Sequence, residues 1–283
     1  MFGFVNVYKP VGKTSHDVVA ILRRVTKVKQ IGHTGTLDPF AEGVLPVCIG
    51  KSTRLIEYLS DDKAYVGTVQ FGKSTTTYDI EGEVVNFSDR IPEKEEIEAA
   101  LGAFRGEIEQ FPPKYSAIKV NGKKLYDYAR AGVEVEIKSR RVEIKELKLL
   151  NFDPQTNQAE LYIACSKGTY IRSIANDLGE NLGVYGHLVK LVRVQAGDFE
   201  VKKSVRLDEL QTKEDVEKSL LQPVEYLHFP KYDLSESEKE KVSHGMSISV
   251  DMSDGICVFI YNNTLAAIAE ITKKQARTAK VFL

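Results

Sequence analysis

The segment GHTGTLDPFAEGVLP, from Gly32 to Pro46, constrains this chain more than any other stretch because it holds one acid on a backbone with little freedom. Glycines at 32, 35 and 43 admit positive φ or a close approach of another group to the main chain. Pro39 confines Asp38 to extended conformations. The Asp38 carboxylate is therefore aimed by the backbone, as a catalytic acid needs to be. The same residue types also make ordinary turns, in which Asp38 would bond only its own backbone, and the loop by itself leaves both readings open.

Around this loop the pattern predicts mixed α and β elements without a regular βαβ alternation. Val5 to Tyr8 reads as a strand. Ser15 is placed to cap a helix with Val18, Val19, Leu22 and Val25 on one face. A short apolar strand is expected over Val44 to Ile49 and a helix around Arg54 to Leu59. AYVGTVQF alternates like a strand, and the Asn121-Gly122 turn precedes a helix ending near Gly132. Further strands are expected at Val142 to Asn151, Glu160 to Ala164 and Leu188 to Val194, with a helix from Thr169 to about Leu182. The sum is an α+β fold on a large, mainly antiparallel sheet. Between Gln211 and Pro230 the texture changes, and from Lys231 onward one helix and several short strands follow. We therefore place a catalytic domain at 1–228 and a small β-rich domain at 229–283.

Composition limits the classes of function. The 283 residues include 42% hydrophobic ones, ample for a sizeable core. Cysteines at 48, 165 and 257 are an odd set without metal-ligand spacing, which argues against a disulfide framework and for a reducing, cytoplasmic setting. The amino terminus has no leader pattern and no apolar run approaches a membrane span, so a soluble protein is expected. The net charge of −1 is far from that of a strongly basic RNA binder. Its distribution is more telling. From Phe111 to Lys145 nine basic residues stand against four acidic ones, interleaved with Tyr115, Tyr126 and Tyr128. Lys119 and Lys123 lie in this patch, which suits a phosphate backbone and equally suits a solvated face.

Five segments in order resemble the TruB family of tRNA pseudouridine synthases: NVYKPVGKTSHDVV from Asn6, the GHTGTLDP loop, DKAYVGTVQFG from Asp62, PPKYSAIKVNGKKLYDYARAG from Pro112, and CSKGTYIRSIANDLG from Cys165 leading into LVRVQAGDF. Together they span roughly two thirds of the chain, which makes coincidence implausible. Phe40 and Glu42 depart from the family pattern, where an aliphatic residue and a Thr are more usual, without touching the acid or its glycines.

The resemblance implies a pseudouridine synthase catalytic domain followed by a PUA-like RNA-binding domain. The implied reaction is isomerisation of the T-loop uridine 55 on the TΨC arm of tRNA, by base flipping, without guide RNA, metal or organic cofactor, in a monomer. It places the catalytic Asp at Asp38, the Arg that pairs with it at Arg172, and the active-site aromatic at Tyr65. It puts His33 in the gap left by the flipped nucleotide, Leu191 at the pocket wall, and Lys9 either supporting that wall or touching substrate. These roles fit the chemistry of the side chains: a planar guanidinium suits a carboxylate, and an extruded base needs a flat partner.

Each of these residues also admits a plainer reading. A lone Arg is more often a surface partner, a strand Tyr or Leu more often core. His33, separated from Asp38 by four residues and with no third ligand nearby, is poorly suited to metal binding. Gly67 to Ser74 satisfies the phosphate-loop pattern G-x-x-x-x-G-K-S, but the alternating TVQF and the helix-poor STTTYDIEGE contradict the strand-then-helix context that motif needs. A noncatalytic RNA binder on the same scaffold would share the basic patch. Only an enzyme requires Asp38, Tyr65 and Arg172 together.

Overall fold

The computed structural model describes every residue from Met1 to Leu283. The chain opens with β1 (Gly3–Lys9), α1 (Ser15–Thr26), β2 (Ile31–His33), β3 (Glu42–Ile49) and β4 (Lys63–Phe71). A hairpin of β5 (Lys73–Thr75) and β6 (Val84–Phe87), helix α2 (Lys94–Ala100) and β7 (Gly106–Gln110) follow. A small arm then carries β8 (Lys119–Val120), β9 (Lys123–Lys124) and α3 (Leu125–Arg130). The long strands β10 (Arg140–Asp153) and β11 (Gln158–Cys165) lead to α4 (Ile171–Asn181), β12 (Gly186–Ala196), β13 (Phe199–Glu200), β14 (Val205–Arg206) and α5 (Lys213–Lys218). The remainder holds β15 (Lys231–Asp233), α6 (Glu236–Ser243), β16 (Ile248–Ser249), β17 (Gly255–Tyr261), β18 (Thr264–Thr272) and β19 (Gln275–Val281).

Ten of these strands form one sheet, with path β14-β1-β3-β12-β4-β11-β10-β7 and with β2 and β13 attached to β3 and β12. Only β1–β14 and β3–β12 pair in parallel, so the expected mainly antiparallel α+β architecture is what the chain adopts. The parallel β3–β12 pair matters most for the site. It sets Arg193 opposite Gly43, while the antiparallel β12–β4 pair sets the same Arg193 opposite Tyr65. Gly43, Arg193 and Tyr65 thus form a row across three neighbouring strands.

Helix α1 covers one end of the sheet with Val18, Val19 and Leu22, all buried in a cluster with Val5, Val7, Leu45 and Val47. Burying three such side chains contributes roughly 1.5–3 kcal/mol each. Its cap is Thr14 rather than Ser15: the Thr14 hydroxyl accepts from the Asp17 amide while Asp17 reaches back to the Thr14 amide. This capping box frees the Ser15 hydroxyl for another task described below. The segment expected as a helix near Arg54 is instead a 3₁₀ helix over Gly50–Tyr58, with Ser52 and Leu55 buried. Inward positions three residues apart match three residues per turn.

The second large core cluster joins β4, β10 and β11 to α2 and α4, and includes Leu37, Tyr65, Leu161, Ile174 and Leu191. The five-stranded sheet β15-β17-β18-β19-β16 has its own apolar interior and also shares a cluster with the main body, where Phe4, Phe199 and Leu227 meet Val258, Leu265 and Phe282. Its β17–β18 turn is Asn262-Asn263 with both residues at positive φ, a conformation Asn tolerates in a two-residue hairpin. No helix is long and apolar enough to cross a membrane.

Of the three loop glycines, only Gly43 has positive φ, at 106°. A Cβ there would lie 2.3 Å from the Arg193 carbonyl oxygen, so both backbone conformation and the close β3–β12 approach demand glycine. Gly32 and Gly35 take ordinary negative φ, and their freedom is not what shapes the loop. Replacing Gly43 with Ala is expected to cost at least roughly 2 kcal/mol of stability, measurable by denaturant titration, whereas Gly132→Ala, with positive φ but open space around it, should cost less.

Candidate active site

The Asp38 loop is tied down on both sides of the acid. Immediately before it, the Leu37 amide donates to the Ser15 hydroxyl (2.8 Å), which in turn donates to the Leu37 carbonyl (3.3 Å). Immediately after it, the Pro39 carbonyl accepts from the Gly12 amide (2.8 Å) and from Lys9 Nζ (3.3 Å), and the Asp38 carbonyl accepts from the Ala41 amide (3.1 Å). A backbone so completely bonded leaves the carboxylate little room to wander.

Arg172 lies in the first turn of α4 and is 5% exposed. Its helix starts after Tyr170, which makes no side-chain cap, and the Thr169 hydroxyl donates to the Ser166 carbonyl. The guanidinium reaches Asp38 with Nε 2.9 Å from Oδ2 and Nη2 donating to Oδ1 at 3.3 Å. The Nε contact is close but poorly directed, so it is an ionic contact more than a hydrogen bond. On its other side Nη1 lies 3.2 Å from Asp79 Oδ2, and the fork also donates to the carbonyls of Thr77 (3.0 Å) and Tyr115 (3.1 Å). Two carboxylates therefore share one buried cation.

Asp79 was not singled out from the sequence. It sits in TTTYDIEGE, where an acid between turn residues gives no sign of burial, yet it is almost wholly enclosed and accepts from the Thr77 hydroxyl and the Glu81 amide. Only the bridge that places Asp79 beside Leu188 of β12 brings it under Arg172.

Asp38 itself is about a third open, its side chain 34% exposed, although protein surrounds it on most sides. One side of the carboxylate is therefore open to an incoming group. Burial raises its pKa, the Arg172 charge lowers it, Asp79 raises it, and the Arg172 hydrogen bond and Lys9 lower it again, leaving it above the ordinary carboxylate range.

Tyr65 is nearly enclosed beside this acid, in the core cluster that also holds Leu37, Phe40 and Leu191. Burial raises its phenol pKa. Leu191 faces the same cluster from β12, where it pairs with Gly67. His33 ends β2 half-buried, with Nδ1 enclosed and unpartnered; burial, then Arg193 and His16, lower its pKa, so the ring is neutral near pH 7. Lys9 is fully buried and directs its donors to the carbonyls of Pro10 (2.9 Å), Lys13 (2.6 Å) and Pro39 (3.3 Å). It braces the wall of the site and does not line it; burial lowers its pKa to about 8.

Lys119 and Lys123 are exposed on the β8–β9 hairpin, away from the acid. The root of this arm is fixed to the site. Tyr115 supplies a carbonyl to Arg172, Ser173 donates to the Phe111 carbonyl (2.8 Å), and Gln110 exchanges two hydrogen bonds with Tyr170. Within the arm, Lys124 and Arg130 lie over the Tyr126 ring.

Other candidate sites fall away. The phosphate-loop pattern lies across β4 and β5, and no helix opens at Lys73. No group of three or more His, Cys, Asp and Glu side chains converges to hold a metal. Two surface depressions of about 310 Å³ each lie beside Asn6 and beside Arg105, and neither contains Asp38, Tyr65 or Arg172.

The fold is shared over 100% of this chain, and 85% of the other, with a protein solved as "Crystal Structure of a Cbf5-Nop10-Gar1 Complex", at TM-score 0.73 and 26% identity. Residues 23–171 match the profile described as TruB family pseudouridylate synthase (N terminal domain), and residues 172–228 that of the tRNA pseudouridylate synthase B C-terminal domain. A tRNA pseudouridine synthase B of Ehrlichia canis (strain Jake) is 40% identical over 100% of this chain and 98% of its own length. One of Geobacillus thermodenitrificans (strain NG80-2) is 45% identical over 87% of this chain and 85% of its own. The chain belongs to the TruB family of pseudouridine synthases, which are isomerases.

A role for Asp38 as nucleophile or base would require its ionised form, and its raised pKa would then place the acid limb of kcat/KM above the ordinary carboxylate range, with activity falling as pH drops through it. Arg172→Gln removes the cation that lowers this pKa, and the limb should move to higher pH. Initial rates between about pH 4.5 and 8 would read this directly; an unmoved limb would disconnect Arg172 from Asp38 in function.

Proposed function

We propose that this chain is the synthase that converts uridine 55 in the T-loop of tRNA to pseudouridine. The observation that carries the reading is the Asp38–Arg172 ion pair, buried on the Arg side and partly open on the Asp side, with Tyr65 enclosed beside it. The reaction breaks the bond between base nitrogen and ribose, turns the base, and rejoins it through carbon. It needs one ionised carboxylate close to the sugar and base, acting as nucleophile or as base, and Asp38 is held for either part.

The uridine is reached by extrusion from its loop, because a stacked base keeps its glycosidic bond out of range of Asp38. Tyr65 and Leu191 offer the extruded base an aromatic face and an apolar wall. His33, neutral and half-buried, has a ring suited to stacking in the place the nucleotide leaves. The full-length relatives bearing the name tRNA pseudouridine synthase B support tRNA as the substrate. Recognition would then be by shape and backbone, through the arm carrying Lys119 and Lys123, without a guide RNA. Residues 229–283, beginning where the family profile ends and forming a separate five-stranded sheet, would act as a PUA-like domain on the same tRNA.

Two experiments test this. Unmodified tRNA with tritium at uracil carbon five is expected to lose label with wild-type enzyme and to keep it with Asp38→Asn, while tRNA affinity stays within about threefold; Asn removes the charge without removing a phosphate contact. Label release by Asp38→Asn at the wild-type rate would refute the role, and release mapping to another arm would refute the choice of uridine. The double variant Lys119→Gln, Lys123→Gln should weaken binding and lower the slope of log affinity against log salt by about 0.7–0.9 for each phosphate that is no longer neutralised, leaving the bound-state rate unchanged.

A further inference from the structure

Arg193 is fully buried, with no exposed surface at all, and is the largest side chain in the protein to be so enclosed. A guanidinium taken wholly out of water is costly unless charged groups compensate it. Here the ion pairs of the site belong to Arg172, and Arg193 has no carboxylate partner; it meets neutral groups, three backbone carbonyls and the Tyr65 phenol beside it. Its Nε donates to the Val44 carbonyl (2.7 Å), Nη2 to the Gly35 carbonyl (3.0 Å) and Nη1 to the Thr36 carbonyl (3.4 Å). Two of those acceptors lie in the Asp38 loop, two and three residues before the acid, and the third lies in β3 just after the loop returns to the sheet.

The register adds a second partner. Arg193 stands between Gly43 on β3 and Tyr65 on β4, and its field opposes the effect of burial on the Tyr65 phenol. One side chain therefore faces both ends of the loop that carries the acid and the strand that carries the aromatic. Ser15 and Lys9 hold Leu37 and Pro39 from the α1 side, whereas Arg193 is what holds Gly35 and Thr36 from beneath.

We propose that Arg193 is a positioning residue for the isomerisation: its three-pronged fork fixes the Asp38 loop relative to Tyr65, so that the carboxylate and the aromatic meet the same extruded nucleoside. A lysine cannot do this, because one ammonium at the end of a flexible stem cannot reach three carbonyls in the fixed directions of a planar guanidinium. The fork's shape, and not its charge alone, sets the geometry.

This inference rests on the tRNA isomerase reading, and the test separates the two. Single-turnover label release and tRNA affinity are measured for wild type, Arg193→Lys and Arg193→Met, each first checked for folding by circular dichroism and thermal unfolding. Both variants are included because Lys keeps the charge, while Met removes the need to bury one and is the better tolerated if the ammonium unfolds the core. Misplacement of reacting groups by about 1 Å costs on the order of a hundredfold in rate. Each folded variant is therefore expected to lose about that factor in single-turnover rate, with tRNA affinity within about threefold of wild type, and Arg193→Lys should not rescue it. Arg105→Met, which removes a fork from the Leu147 carbonyl away from the site, should leave the rate unchanged. A folded Arg193→Lys enzyme with wild-type rate would overturn the proposal, as would an effect expressed wholly in tRNA affinity. Absence of label release from the wild type would instead overturn the isomerase reading.

Discussion

The guanidinium of Arg172 joins chain segments that are far apart in sequence. It binds the Asp38 carboxylate of the β2–β3 loop, the Asp79 carboxylate beside β5, and the carbonyls of Thr77 and of Tyr115 at the root of the basic arm. A buried cation between two acids couples them: removing the cation would leave the carboxylates without a counter-charge, and breaking a buried pair in this way typically costs about 3–5 kcal/mol. The candidate acid, the turn that carries Asp79 and the basic arm are thus parts of one electrostatic unit. Movement of the arm on binding would be felt at Asp38 through a single side chain.

Asp38 lies between opposing influences. Burial and Asp79 favour its proton, while Arg172 and Lys9 favour its loss. Burial prevails in this balance and raises the pKa, while the two cations limit the rise. The backbone on either side is held by Ser15, Gly12, Lys9 and Arg193. Lys9 and Arg172 thus bear on both the charge state and the aim of the acid, whereas Ser15, Gly12 and Arg193 bear on its aim alone.

Much of this was legible in the chain. The loop around Asp38, the Tyr65 strand, the helix carrying Arg172, the Asn121-Gly122 hairpin and the antiparallel sheet all follow from local pattern and from the ordered family segments. The errors were also local in kind. Thr14 and Ser15 are both good caps, and the hydroxyl that reads as a cap is the one that bonds Leu37. Glycines at 32 and 35 look as permissive as Gly43, but only Gly43 uses that freedom. Asp79 and Arg193 left no mark at all, since an acid in a polar turn and a basic residue in a strand are ordinarily exposed.

What the sequence determined by itself was the set of elements and the chemical identity of the acid, because turn chemistry, periodicity and a proline act over a few neighbouring residues. What only the tertiary structure decided was which polar groups are buried and whom they face. Arg193 meets Gly43 and Tyr65 through pairings of strands far apart in the chain, and Asp79 reaches Arg172 across a comparable gap. The cost of burying a charge arises only once the sheet closes around it, so no local pattern could have announced either residue.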